Sequence, residues 1–111
     1  MIQRESVIPD RHLINAVRDI LHCINEAGGD RCQWLCETST DAEEAVAERR
    51  HMILGTPLIS RFTSYESALQ VKLALREAGL QTLTESRSRG GPELYCVRLA
   101  WRTVPDNQSA W

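Results

Sequence analysis

Between residues 57 and 102 the sequence is PLISRFTSYESALQVKLALREAGLQTLTESRSRGGPELYCVRLAWR, and the architecture of the chain follows largely from it. Apolar and polar residues alternate over residues 58–62 and 94–102, a period of two that predicts a β-strand in each place. Residues 81–86 form a third, weaker strand candidate. The glycines and the proline in residues 87–92 predict a turn that leads into the last strand.

A helix is predicted over residues 64–78, between the strand at 58–62 and the weaker strand candidate at 81–86. Thr63 can cap its N-terminus, and Glu66 lies three residues further on, which is the capping-box spacing. Gly79 follows the last apolar turn, where glycine commonly ends a helix. The stretch therefore predicts a β-α-β-β unit, the arrangement of half a ferredoxin-like fold.

Helical periodicity also precedes this unit. Pro9 and Asp10 are typical of a helix start, and the apolar stripe that follows them stops at Gly28. A second helix is predicted to begin at Thr40, where Glu43 repeats the capping-box spacing, and to end before residues 55–57. Its apolar stripe is thin, which favours a position at the edge of the domain.

Residues 31–37 predict a short strand between the two helices, with an irregular loop as the alternative. In a strand, Cys32, Trp34 and Cys36 share one face. Two thiols four residues apart would then be separated by roughly 13 Å, too far to chelate one zinc ion. A loop would allow them to converge, but no C-x2-C or H-x3-H pair accompanies them. We therefore predict core thiols and no metal site.

The fold prediction is an α+β domain, with a small mixed sheet of three or four strands and two or three helices packed on one face. The domain is predicted over residues 9–103, after a flexible lead at 1–8 and before a flexible tail at 104–111. A chain of 111 residues supports one such domain, and 42% hydrophobic and 25% charged residues are typical of a globular protein.

Charge and hydropathy argue against two classes of partner. The net charge is −2, and six Arg against ten acidic residues precede position 57, whereas six Arg and one Lys against five acidic residues follow it. This imbalance is too small to predict a general nucleic-acid binder or a membrane-surface protein. No apolar run approaches the roughly 18 residues of a membrane span, and residues 1–10 contain no apolar signal core. We expect a cytoplasmic protein whose four cysteines are free thiols.

Catalytic patterns are weak. His22 has Asp19 and Glu26 at helical spacing, but such pairs are usually surface neighbours. No nucleophile elbow, phosphate-binding loop or dinucleotide motif is present. The sequence therefore predicts no enzyme and no cofactor.

One alternative function is nucleic-acid binding. Five arginines are candidates for a basic patch on the final hairpin and its neighbouring strand: Arg61, Arg87, Arg89, Arg98 and Arg102. The competing interpretation is that these arginines are solvated and protect an edge strand from aggregation.

The favoured function is protein binding. On the helix at 64–78, one apolar stripe is formed by Ala68, Val71, Leu75 and Ala78, and a second by Leu69 and Leu73. One stripe can cover the sheet, and the other must meet a neighbouring helix or a partner. The predicted partner-binding residues are Tyr65, Leu69, Lys72, Leu73 and Arg76. The partner would be a second copy of the chain or a larger complex. By analogy with small proteins supplied by mobile elements, the chain would act as a regulator or inhibitor of that complex.

Overall fold

The computed structural model describes residues 7–83 and 90–100. These residues contain four strands and three α-helices. In chain order they are β1 (Val7–Ile8), α1 (Leu13–Ala27), β2 (Trp34–Ser39), α2 (Ala42–Glu48), β3 (Ile53–Phe62), α3 (Tyr65–Glu77) and β4 (Glu93–Leu99). Short 3₁₀ turns lie at Asp10–His12, Arg31–Gln33 and Arg50–Met52. The predicted α+β class is confirmed.

The strands form one mixed sheet in the order β1-β3-β4-β2. β1 runs parallel to β3, whereas β4 is antiparallel to both of its neighbours, β3 and β2. Val7 and Ile8, which the sequence interpretation assigned to the flexible lead, pair with Arg61 and Phe62. The sheet therefore begins earlier in the chain than residue 9.

Helices cover both faces of the sheet. α1 and α3 pack together on one face, where two or three helices were predicted, and α2 packs on the other face, where no helix was predicted. The core under α1 and α3 is formed by residues such as Ile20, Ile24, Trp34, Cys36, Phe62, Val71, Leu75, Leu94 and Cys96. The core under α2 is formed by Leu35, Ala42, Val46, Ile59, Tyr95, Val97 and Leu99. β4 contributes alternate residues to both cores, which explains its strong apolar alternation.

The helix caps lie one residue later than predicted. Ser64, not Thr63, caps α3, and its hydroxyl accepts a hydrogen bond from the Ser67 backbone N–H at 3.2 Å. Asp41, not Thr40, caps α2 in the same way. Thr63 is otherwise engaged, because its hydroxyl donates to Asp10 Oδ1 at 2.6 Å.

Asp10 ties the starts of α1 and α3 together. Its Oδ1 also accepts a hydrogen bond from the Ser67 hydroxyl at 2.7 Å. The two hydroxyl donors, Thr63 and then Ser67, hold the pKa of Asp10 below its usual value because they stabilise the charged form. The first turn of α3 is thus fixed by contacts with a residue more than fifty positions earlier in the sequence.

Replacing Ser64 with alanine should lower the free energy of unfolding by about 1 kcal/mol, the usual cost of losing an N-cap. The loss should appear in urea denaturation followed by circular dichroism. Ser64→Asp is the matched control, because a carboxylate accepts the same hydrogen bond and complements the helix dipole. Equal losses in the two variants would show that the cap is not the source of the effect.

Two other predicted elements differ from the structure. The strand predicted over residues 31–37 is confirmed from Trp34 onward, and Cys32 lies in the preceding 3₁₀ turn. Of the predicted strand at 81–86, the described residues 81–83 contain one parallel bridge, between Gln81 and Leu35, and the remainder falls within residues 84–89, which lie outside the described part. Gln81 nevertheless covers the outer edge of β2 through two backbone hydrogen bonds of 2.8 and 2.9 Å.

Candidate functional site

The side of α3 that points away from the sheet is the candidate site. Its inner stripe is buried, with Ala68, Val71 and Leu75 each no more than 1% exposed. On the outer side, Tyr65 is 41% and Leu73 is 44% exposed. Leu69 lies between them and is partly buried. We call Tyr65, Leu69 and Leu73 the outer stripe; their spacing of four residues places them on one line along the helix.

Tyr65 is held by the chain at the start of the final strand. Its ring lies directly against Gly90, and a side chain at position 90 would overlap the ring. Gly91, the next residue, is buried with its Cα against the backbone of residues 39–40. Gly90 therefore lets this segment pass close to α3, and the backbone at position 90 fixes one side of the tyrosine ring.

Lys72 is committed to an internal ion pair. Its Nζ lies 3.0 Å from Glu37 Oε1, and the two side chains are only 17% and 6% exposed. Glu37 Oε2 accepts a second hydrogen bond from the Leu83 backbone N–H at 2.7 Å. The pair joins α3 to the edge strand β2, so Lys72 fixes the helix and does not offer a free charge to a partner. Sequence reasoning did not single out Glu37, because only the position of β2 beside α3 reveals its partner.

Charges flank the outer stripe in an ordered way. Arg76 is exposed and lies about two helical turns beyond Leu69, on the side of the stripe nearer to Lys72. Glu66 and Glu77 are exposed on the opposite flank, next to Leu73. Arg76 forms no ion pair with another residue of the described ranges. The outer face of α3 thus combines an apolar line with one basic and one acidic flank.

The structure does not bring Arg61 and Arg98 together. Arg61 lies on the α2 face, where its Nε and Nη2 donate to Glu93 Oε2 at 3.2 and 2.8 Å. Glu93 Oε1 accepts the Ala42 backbone N–H at 2.8 Å, so the same carboxylate also serves the start of α2. The Arg61 charge is therefore largely neutralised within the domain.

Arg98 lies on the opposite face, at the C-terminal end of α1. Its Nη1 approaches the Ala27 carbonyl at 3.5 Å, which complements the negative end of the helix dipole. Gly29, with a φ of 85°, passes so close that a Cβ there would lie 2.9 Å from Arg98 Nε. Arg98 is thus packed as a structural cap for α1. The other predicted members of the basic patch, Arg87, Arg89 and Arg102, lie outside the described residues.

Other chemical groups in the described ranges remain dispersed. His22 Nε2 lies 3.4 Å from Glu26 Oε2 on the exposed side of α1. A shallow cavity of about 130 Å³ between α1 and β3 is lined by Asp19, Ile20, Cys23, Leu58 and Ser60, and no histidine lines it. Within residues 7–83 and 90–100, no three His, Cys, Asp or Glu side chains lie close enough to hold a metal ion.

No protein-family model matches this chain, and searches of curated proteins and of solved structures find no match either. None of the helices in the described ranges has the length and apolar character required to cross a bilayer.

Proposed function

We propose that this protein acts by binding another protein through the outer face of α3, and that its partner is a second copy of the same chain. The observation that carries the proposal is the outer stripe, in which two large apolar residues remain more than 40% exposed on one line of a helix whose inner side is fully packed. Contiguous apolar residues rimmed by charges are typical of protein contact surfaces.

The charged flanks of α3 favour a second copy in parallel orientation. A two-fold axis along the helix would place the basic flank of one copy against the acidic flank of the other. Arg76 would then approach Glu77 of the second copy at nearly the same height, while Leu69 and Leu73 pack across the axis. An antiparallel arrangement would instead place Glu66 beside Glu77 of the second copy, which is repulsive.

The expected association is weak and reversible. The outer stripe presents three apolar side chains on a helix of 13 residues, which is less surface than the roughly 800 Å² per partner of a stable interface. A weak contact of this kind suits a regulator or inhibitor whose dimer dissociates so that the same surface can bind a different protein. The two described arginines of the nucleic-acid alternative do not support it, because Arg61 and Arg98 lie on opposite faces and each contacts another residue of the domain.

Replacing Leu73 with aspartate should weaken self-association by roughly 30-fold, since it places a charge at the centre of the apolar contact. Sedimentation equilibrium over a wide concentration range measures the change. Ile14→Asp is the matched control, because Ile14 is an apolar residue of α1 that is 75% exposed and does not belong to the outer stripe. Circular dichroism shows whether both variants are folded.

Charge reversal tests the orientation. Arg76→Glu alone should weaken the dimer, and adding Glu77→Arg should restore it, because the double variant exchanges the two flanks of both copies. A wild-type chain that stays monomeric at high concentration overturns self-association. A different protein that binds the wild type but not Leu73→Asp would keep the surface and replace the proposed partner.

A further inference from the structure

Cys36 and Cys96 lie directly opposite each other on the neighbouring strands β2 and β4. Both are buried, at 0% and 1% exposure, in the core beneath α1 and α3. The Cys36 backbone N–H donates to Gln81 O at 2.9 Å, on the outer edge of β2, and so points away from β4. The two cysteines therefore form a non-hydrogen-bonded pair, in which antiparallel strands bring the Cα atoms to about 4.5 Å.

That separation lies within the range of Cα distances that disulfides span, roughly 4.4–6.8 Å. Both side chains point to the same face of the sheet and lie in the same buried core. We propose that Cys36 and Cys96 are a disulfide site, whose oxidation locks the edge strand β2 to the central strand β4 without rearranging the sheet.

The reaction is a thiol–disulfide exchange with a low-molecular-weight disulfide as oxidant. One cysteine thiolate attacks the oxidant and releases one small thiol, and the second cysteine then attacks the mixed disulfide and releases the other. The two cysteines lose two electrons and two protons, one S–S bond forms between them, and the oxidant is reduced to two thiols.

The folded state slows oxidation of Cys36 and Cys96. The hydrogen bond with Cys36, together with burial, raises the pKa of the Cys96 thiol well above its usual value, so little thiolate is present at neutral pH. Cys36 Sγ also lies 4.0 Å from the Lys72 carbonyl, so α3 covers the site. Oxidation therefore requires that α3 opens locally or that the chain refolds in the presence of the oxidant.

The test uses the full chain with Cys23→Ser and Cys32→Ser, which removes the two exposed thiols and leaves only the buried pair. This background also simplifies the analysis, because Cys32 and Cys36 fall in the same tryptic peptide. The protein is unfolded in urea, refolded in mixtures of oxidised and reduced glutathione, alkylated and digested. We expect the peptides that contain Cys36 and Cys96 to be linked, and to separate on reduction.

The linked protein should keep its circular dichroism spectrum and gain on the order of 10 °C in Tm, because the bond closes a loop of roughly 60 residues. Adding Cys96→Ala to the same background should remove the difference between oxidising and reducing buffers. The proposal is overturned if the two thiols stay reduced after refolding in oxidised glutathione. It is equally overturned if they link different molecules, or if the linked protein loses its native spectrum or melts no higher than the reduced one.

Discussion

Replacing Lys72 with methionine should lower the free energy of unfolding by about 3 kcal/mol or more, the cost of removing one partner from a buried ion pair. Methionine matches the apolar part of the lysine side chain, so packing is largely kept. What is lost is the ammonium group that lies 3.0 Å from Glu37 Oε1. The Glu37 carboxylate, only 6% exposed, would keep one donor among the described residues, the Leu83 N–H at 2.7 Å. Urea denaturation followed by circular dichroism measures the loss.

Two further variants separate this effect from others. Adding Glu37→Gln to Lys72→Met should recover most of the stability, because a neutral amide still accepts the Leu83 N–H and no unpaired charge remains buried. Arg76→Met is the matched control on the same helix, where the side chain is exposed and the change should stay within about 0.5 kcal/mol. If Lys72→Met were as mild as Arg76→Met, the ion pair would contribute little to the fold.

The Lys72–Glu37 pair also bears on the proposed self-association. It fastens α3 to β2 at the middle of the helix, and Asp10 fastens the first turn through Thr63 and Ser67. A helix held at two points presents the outer stripe with little conformational freedom, so association orders few new degrees of freedom. Lys72, which sequence reasoning placed in the partner-binding set, is thus assigned by the structure to positioning the helix.

Local sequence signals identified α3 and β4 because their periodicity and end residues agree. They missed the cap of α3 by one residue because Thr63 and Ser64 are both good capping residues. The choice between them depends on Asp10, which lies more than fifty residues away in the sequence and adjacent in the fold. Long-range contacts of this kind leave no mark in a local pattern.

The predicted strand boundaries were wrong for similar reasons. β1 has two residues, too few to show any period. In β3, Gly55 and Pro57 indicate a break, yet the strand runs through them. Gly55 adopts a φ of 74°, and the register with β4 shifts between Leu54 and Leu58. The irregularity absorbs the turn-forming residues without ending the strand.

The candidate site was predictable only in part. The outer stripe follows from the helical spacing of Leu69 and Leu73, which any single-helix analysis can find. The separation of Arg61 from Arg98 does not follow, because alternation within one strand says nothing about its register with the next. Arg61 is opposite Glu93 on β4, and Arg98 is five residues further along that strand. An odd number of residues places the two side chains on opposite faces.

The other large effect concerns Trp34, the first residue of β2. Trp34→Ala should lower the free energy of unfolding by about 3–5 kcal/mol, because the side chain is 1% exposed and its removal leaves a cavity between the sheet and the helices. A small domain has a total stability of roughly 5–15 kcal/mol, so much of the variant should be unfolded under mild denaturant.

Trp34→Phe is the matched control for packing. Phenylalanine keeps an aromatic ring in the core but cannot reproduce the hydrogen bond from Trp34 Nε1 to the Gly28 carbonyl, which spans 3.3 Å. Its cost should be about 1 kcal/mol for that bond, plus a smaller cavity term. Because Gly28 ends α1, a loss in Trp34→Phe as large as that in Trp34→Ala would mean that the tryptophan acts mainly as a tether for the helix end. A loss near zero in Trp34→Ala would instead show that β2 does not depend on this side chain, which would contradict the close packing of the core beneath α1 and α3.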